Sequence, residues 1–100
     1  MATLDPVTGH EQAGRRPVLV VSNNEYNRFM GGLYVVCPIS NTANRFPMHV
    51  LLDNRTQTTG SILCQHLRTV DLNQRNAQKK EECPEDILDE VLEIITSSFI

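Results

Sequence analysis

The chain is poor in the residues that build several common kinds of site. It has three cysteines, Cys37, Cys64 and Cys83. They are odd in number, widely spaced and without a CxxC pair, which argues against a disulfide framework. Its histidines, His10, His49 and His66, fall at no metal-ligand spacing, so neither a metal nor another cofactor is expected. No apolar run approaches the roughly 20 residues that cross a bilayer. The first residues, Met-Ala-Thr-Leu-Asp-Pro, lack the basic flank and apolar stretch of a secretory signal. A cytoplasmic chain with no membrane partner is the expectation. A Gly-rich phosphate loop and a nucleophile constellation are also lacking, which leaves little support for a metabolic enzyme. The formal charge of −3 argues against a general nucleic-acid binder.

What is present suits one small core. A 100-residue chain with 40% hydrophobic and 21% charged residues reads as a single globular domain over residues 1–100. Its charge is uneven. Residues 1–59 hold five arginines against four acids, whereas residues 60–100 hold four bases against eight acids. A local basic surface in the first half would meet phosphates while the acidic second half faces water or a partner.

The periodicity changes along the chain. Pro17 to Ser22 and Leu33 to Ile39 are β-branched apolar runs that read as buried strands. Between them Ser22-Asn23-Asn24-Glu25 fits a capping box, predicting a short helical turn over Tyr26 to Phe29, broken at Gly31-Gly32. Pro47 to Leu52 reads as a third strand. Asp53-Asn54 and Thr58-Thr59-Gly60 read as turns, and Ser61 to Val70 as strand kinked near Gln65. From Pro84, Ile87, Leu88, Val91, Leu92 and Ile95 recur at helical spacing, with Glu85, Asp86 and Asp89 near the positive end of the helix dipole. Several strands followed by one helix predict an α+β fold, a small SH3-like twisted barrel or sheet.

The chemistry concentrates in Gly9-His10-Glu11-Gln12-Ala13-Gly14-Arg15-Arg16-Pro17. Two glycines give this loop backbone freedom, while two cations, a carboxylate and an imidazole suit a phosphodiester. A solvated polar loop is the plain alternative. The stretch GHEQAGRRPVLVVS closely resembles the signature of the MazF/PemK/Kid toxins. Further similarity follows in Tyr26-Asn27-Arg28, Cys37-Pro38-Ile39-Ser40, Phe46-Pro47, Thr59-Gly60, Cys64, Arg68-Thr69-Val70-Asp71, Arg75 and Pro84-Glu85. The resemblance runs from about Leu4 to the C-terminus.

This resemblance implies a MazF/Kid/CcdB-like fold, a homodimer and metal-independent cleavage of single-stranded RNA through ribose 2′-hydroxyl attack. It also implies silencing by a cognate antitoxin, with operator DNA engaged only through the antitoxin complex. Arg16 would stabilise the phosphate or donate a proton. Ser40 would contact the scissile phosphate, Glu11 would act as base or order the loop, and His10 would lie near the phosphate. Gln12, Arg15, Arg28, Asn41, Arg45, Gln65 and His66 are the expected RNA contacts.

Two departures bear on activity. Gln65 stands where many members carry an acid proposed as general base, and Leu63 stands where some carry an arginine; an amide cannot take a proton. His66 is the neighbouring imidazole, but adjacent strand residues face opposite ways. The family's first strand is reduced to Met1–Asp5, which would leave a sheet edge exposed. The alternatives are a non-cleaving module that binds antitoxin or RNA, and a CcdB-like gyrase inhibitor. The GHEQAGRRP loop favours RNA.

Overall fold

The computed structural model describes residues 2–4, 16–41, 48–71 and 78–99. Its strands are β1 (Ala2–Leu4), β2 (Arg16–Val20), β3 (Leu33–Ser40), β4 (His49–Leu51), β5 (Ser61–Leu63), β6 (Arg68–Asp71) and β7 (Gln78–Lys79). Two α-helices, α1 (Asn24–Phe29) and α2 (Glu85–Phe99), complete the described fold, with a 3-10 turn at Cys64–His66. The strands form one antiparallel sheet in the order β4-β5-β3-β2-β1-β7, and β6 pairs with β3 off that path. The expected α+β architecture of a twisted sheet with a terminal helix is therefore observed.

β3 organises the sheet because its eight residues are long enough to take two partners along one edge. Leu33–Val36 pairs with β6, and Ile39–Ser40 pairs with β5. The strand expected over Ser61 to Val70 is thus two strands. The 3-10 turn between them lets the chain leave one half of β3 and rejoin the other. Gln65 and His66 lie in that turn, so the strand alternation assumed for them does not apply. Of the strand expected over Pro47 to Leu52, β4 takes His49–Leu51, with Met48 and Leu52 outside it and Pro47 outside the described residues. The N-terminus also differs from expectation, since β1 hydrogen-bonds to β2 on one side and β7 on the other. β2 is consequently not left as an open edge.

α1 forms where expected, but Asn23 caps it rather than Ser22, accepting the Tyr26 N–H at 2.8 Å. Ser22 instead ties the helix to the sheet, donating to Asn27 Oδ1 at 2.5 Å and accepting the Val35 N–H at 3.0 Å. The helix ends in a paired C-terminal lock, Gly32 N–H to Asn27 C=O and Gly31 N–H to Arg28 C=O. Gly31 takes the left-handed conformation this needs, at φ 69°. At α2, the Pro84 carbonyl accepts from the Ile87 and Leu88 N–H groups, so Pro84 precedes the helix instead of forming its first turn.

Alternation along the strands divides the apolar side chains between two faces. Leu19, Cys37, Ile39, Val50 and Ile62 point toward α2, where Ile87 and Val91 meet them one helical turn apart. Burying a side chain such as Ile62, fully enclosed here, contributes about 1.5–3 kcal/mol. Val18, Val36 and Val70 form a smaller cluster on the other face, with Val20 and Tyr34 at its margin.

Candidate active site

The sheet register decides which candidate residues meet. Val18 lies across from Pro38, and the same register continued by two residues sets Arg16 across from Ser40. Ser40 in turn opposes Ser61, and Ser61 opposes Leu51. Directly opposed residues share a face and neighbouring strands are about 4.8 Å apart. Arg16, Ser40 and Ser61 therefore form one row on the face turned away from α2. Arg16 is exposed, while Ser40 is half-buried and has a bonding partner.

The end of β3 is held from below by Gly60. This glycine sits at φ 117°, and a Cβ there would come within 2.6 Å of the Ser40 carbonyl oxygen. Only glycine permits that approach and that backbone angle. The Leu52 N–H donates to the Gly60 carbonyl at 2.9 Å and closes the 53–59 loop on the sheet. Within the loop Thr56 Oγ1 bonds the Thr58 carbonyl at 2.7 Å. Arg55 pairs with both Asp53 and Asp86, fastening the loop to the first turn of α2. The Arg55 guanidinium holds both carboxyls below the usual carboxylate range, chiefly through these side-chain hydrogen bonds.

A second brace forms a cleft at the same end of the β2–β3 hairpin. Glu81 accepts from Thr58 Oγ1 at 2.8 Å, from the Thr58 N–H at 2.9 Å and from the Gln57 N–H at 3.2 Å. These donors lower its pKa, the Thr58 bonds most. Thr59 Oγ1 donates to Asn41 Oδ1 at 3.0 Å. Pro17, Asn41, residues 57–59, Lys80 and Glu81 enclose a space of about 460 Å³.

Among the described residues, Arg28, Gln65 and His66 lie apart from this cleft. Arg28 is exposed on α1, at the opposite end of the β2–β3 hairpin from Arg16 and Ser40. Gln65 is exposed, and its side-chain amide nitrogen lies 2.8 Å from Nε2 of His49. That ring nitrogen, when unprotonated, accepts from the amide N–H. His49 faces the same side of the sheet as Ser40, since it opposes Leu63 one row along. His66 is exposed beside Gln65. His10, Glu11, Gln12, Arg15 and Arg45 lie outside the described residues.

Sequence reading missed His49 as a partner of Gln65, and it missed the Lys80–Glu81 side of the cleft. Nothing local marks Glu81 as the brace of a loop more than 20 residues earlier in the chain. The cysteines are not candidates for nucleophilic work. Burial pushes the Cys37 thiol up to about 12, and burial likewise raises Cys64. Among the described residues no group of three or more His, Cys, Asp or Glu side chains is arranged to hold a metal ion. Among them, too, no helix is long and apolar enough to cross a membrane.

A small antiparallel sheet with a terminal helix, carrying an arginine beside a serine at a strand end, fits the toxin family whose signature loop precedes β2. The model of the PemK-like, MazF-like toxins of type II toxin-antitoxin systems matches residues 1–99, and the chain belongs to that family. It is 41% identical over 96 residues to the endoribonuclease PemK of Escherichia coli, covering 92% of this chain and 71% of that one. It is 34% identical to the endoribonuclease EndoA of Bacillus subtilis, covering 98% of this chain and 87% of that protein. The MazE-MazF crystal structure (Form-II) from Deinococcus radiodurans superimposes with a TM-score of 0.83 at 35% identity, over 97% of this chain and 88% of that one.

Proposed function

We propose that this chain is the toxin of a type II toxin-antitoxin pair and a sequence-specific endoribonuclease that cleaves single-stranded mRNA. The observation that carries this reading is the β2–β3 register, which continued two residues beyond Val18 and Pro38 sets Arg16 across from Ser40, in a chain 41% identical to an endoribonuclease. The ribose 2′-oxygen attacks the adjacent phosphorus and the bond from phosphorus to the 5′-oxygen breaks. A 2′,3′-cyclic phosphate and a 5′-hydroxyl remain. Arg16, exposed at the start of β2, pairs with the non-bridging oxygens as charge builds on the phosphorane. Ser40 contributes a hydroxyl from the neighbouring strand. The proton transfers fall to the Glu11–His10 part of the loop, because the Gln65 amide cannot take a proton. Side chains supply these roles without a metal.

The chain acts in the cytoplasm as a homodimer of one domain over residues 1–100. A cognate, acidic and partly disordered antitoxin silences it by charge complementarity and coupled folding, and operator DNA is met only through that complex. A MazE-MazF complex among the similar structures supports such a partner.

Incubating the purified protein with a mixed-sequence RNA and mapping the ends tests the reading. Cyclic phosphate and 5′-hydroxyl ends at a recurring sequence are expected. Folded Arg16→Ala should cleave roughly two to three orders of magnitude more slowly, the loss typical of one preorganised donor. Arg16→Lys should recover little, since lysine keeps the charge without the planar fork. A parent that binds RNA but never cleaves it would favour the non-cleaving module, to which Gln65 and Leu63 already point.

A further inference from the structure

Two thiols lie opposite each other beneath α2, outside the Arg16–Ser40 row. We propose that Cys37 and Cys64 are a redox pair, which a peroxide closes into a cross-strand disulfide that locks the 3-10 turn to β3. This stands independently of the endoribonuclease reading.

Register is the first support. Ile39 lies across from Ile62 and Ser40 across from Ser61, and the same register continued by two residues sets Cys37 across from Cys64. Cys64 opens the 3-10 turn where the chain leaves β5, and Cys37 lies between the part of β3 that pairs with β5 and the part that pairs with β6. Opposed Cα atoms are about 4.5–5.5 Å apart, within the range of about 4.4–6.8 Å that a disulfide spans. Opposed side chains also share a face. Both cysteines belong to the layer that α2 covers, and neither has exposed surface. Burial raises the Cys37 thiol most, and its neighbour Cys64 raises it further, which places the two sulfurs close together. Cys83 is half-buried against the same layer, but no strand register sets it across from either thiol.

The second support is the chemistry that this placement permits. While α2 covers the sheet, burial keeps both thiols protonated and out of reach of an oxidant. They become accessible when the helix lifts locally from the sheet. The Cys64 sulfur then attacks a peroxide oxygen, the O–O bond breaks and water leaves, giving a sulfenic acid. The Cys37 sulfur attacks that sulfur, the S–O bond breaks and a second water leaves. Two thiols lose two electrons, one peroxide gains them, and both thiol protons depart in the waters. The ring so closed runs from residue 37 to residue 64 and holds β4, β5 and the 53–59 loop, which restricts the unfolded chain.

The test uses the full chain, reduced and then exposed to hydrogen peroxide both in native buffer and in urea below the unfolding transition. The intact mass should fall by two hydrogens, and a non-reduced peptide map should join the Cys37 and Cys64 peptides. The bond should form faster in the mild urea and be reversed by dithiothreitol. Oxidation should raise Tm by roughly 10–20 °C, the effect of a ring of this length in so small a domain. Cys83→Ser should behave as the parent, and Cys64→Ala should lose both the bond and the rise in Tm. If Cys64→Ala fails to fold, the peptide map of Cys83→Ser decides. A bond that uses Cys83 or joins two chains would overturn the pairing, as would thiols that end as sulfinic acid with no bond. If the Cys37–Cys64 bond forms and Tm does not rise, the disulfide is no lock and the proposal fails.

Discussion

The two faces of the sheet are built from the same strands and solve different problems. Toward α2, Leu19, Cys37, Ile39, Val50 and Ile62 alternate into a continuous apolar layer that Ile87 and Val91 seal. On the other face the apolar cluster is confined to Val18, Val36 and Val70 and their margin. Beyond it the same alternation delivers Arg16, Ser40, Ser61 and His49. One face stores the burial energy that holds the strands in register. The other uses that register to bring together side chains that are distant in sequence. A fault in the first face should cost stability, and a fault at the second should cost chemistry in a folded protein.

The largest break should come from the covered face. Ile62→Ala removes a side chain with no exposed surface from the middle of the layer. A loss of about 2–5 kcal/mol is expected for such a cavity, measured by urea unfolding, enough to leave so small a domain marginal. A loss under about 1 kcal/mol would mean that the α2 face is not the main core.

Gly60→Ala probes the point where the two faces depend on each other. The new Cβ would meet the Ser40 carbonyl oxygen at 2.6 Å, and the φ of 117° suits only glycine. About 1–3 kcal/mol of strain should appear in unfolding. RNA cleavage should fall further than the population of folded protein explains, because Ser40 must move. Unchanged cleavage would detach Ser40 from the reaction.

The smallest effect concerns the ion pairs of Arg55 with Asp53 and Asp86 at the outer edge of the covered face. Both carboxyls are held below their ordinary 3.8, so their contribution is complete above that pH and fades as pH falls through the lowered values. These groups are solvent-exposed, so only a modest fall in Tm at acid pH is expected. Arg55→Ala should lower Tm slightly near neutrality and lose that part of the acid dependence. Coincident Tm curves for parent and variant from pH 6 down to pH 2 would show that the pairs contribute nothing.

Much of the fold was legible because it rests on local periodicity. The apolar runs of β2 and β3 and the helical spacing of Ile87, Val91 and Ile95 require no knowledge of the rest of the chain. Details of termination were less so. Asn23 outcompeted Ser22 as the helix cap because Ser22 had a tertiary task between Asn27 and Val35. The kink near Gln65 was foreseen, yet its splitting of one strand into two depends on β3 being long enough to receive both.

The candidate site divides in the same way. The signature loop and its resemblance to a toxin family named Arg16 and Ser40 from residue identity alone. Their juxtaposition is a property of the antiparallel register, which depends on packing across the sheet. The Gln65–His49 hydrogen bond and the Glu81 brace are set by loops that close over long sequence separations. Sequence by itself determined the element types, the family and the residues able to do phosphate chemistry, because periodicity and side-chain identity are local. Only the tertiary structure decided which of those residues share a face, and that Lys80, Asn41 and Thr59 enclose one cleft. Long-range pairing is fixed by the whole core, and no single segment carries it.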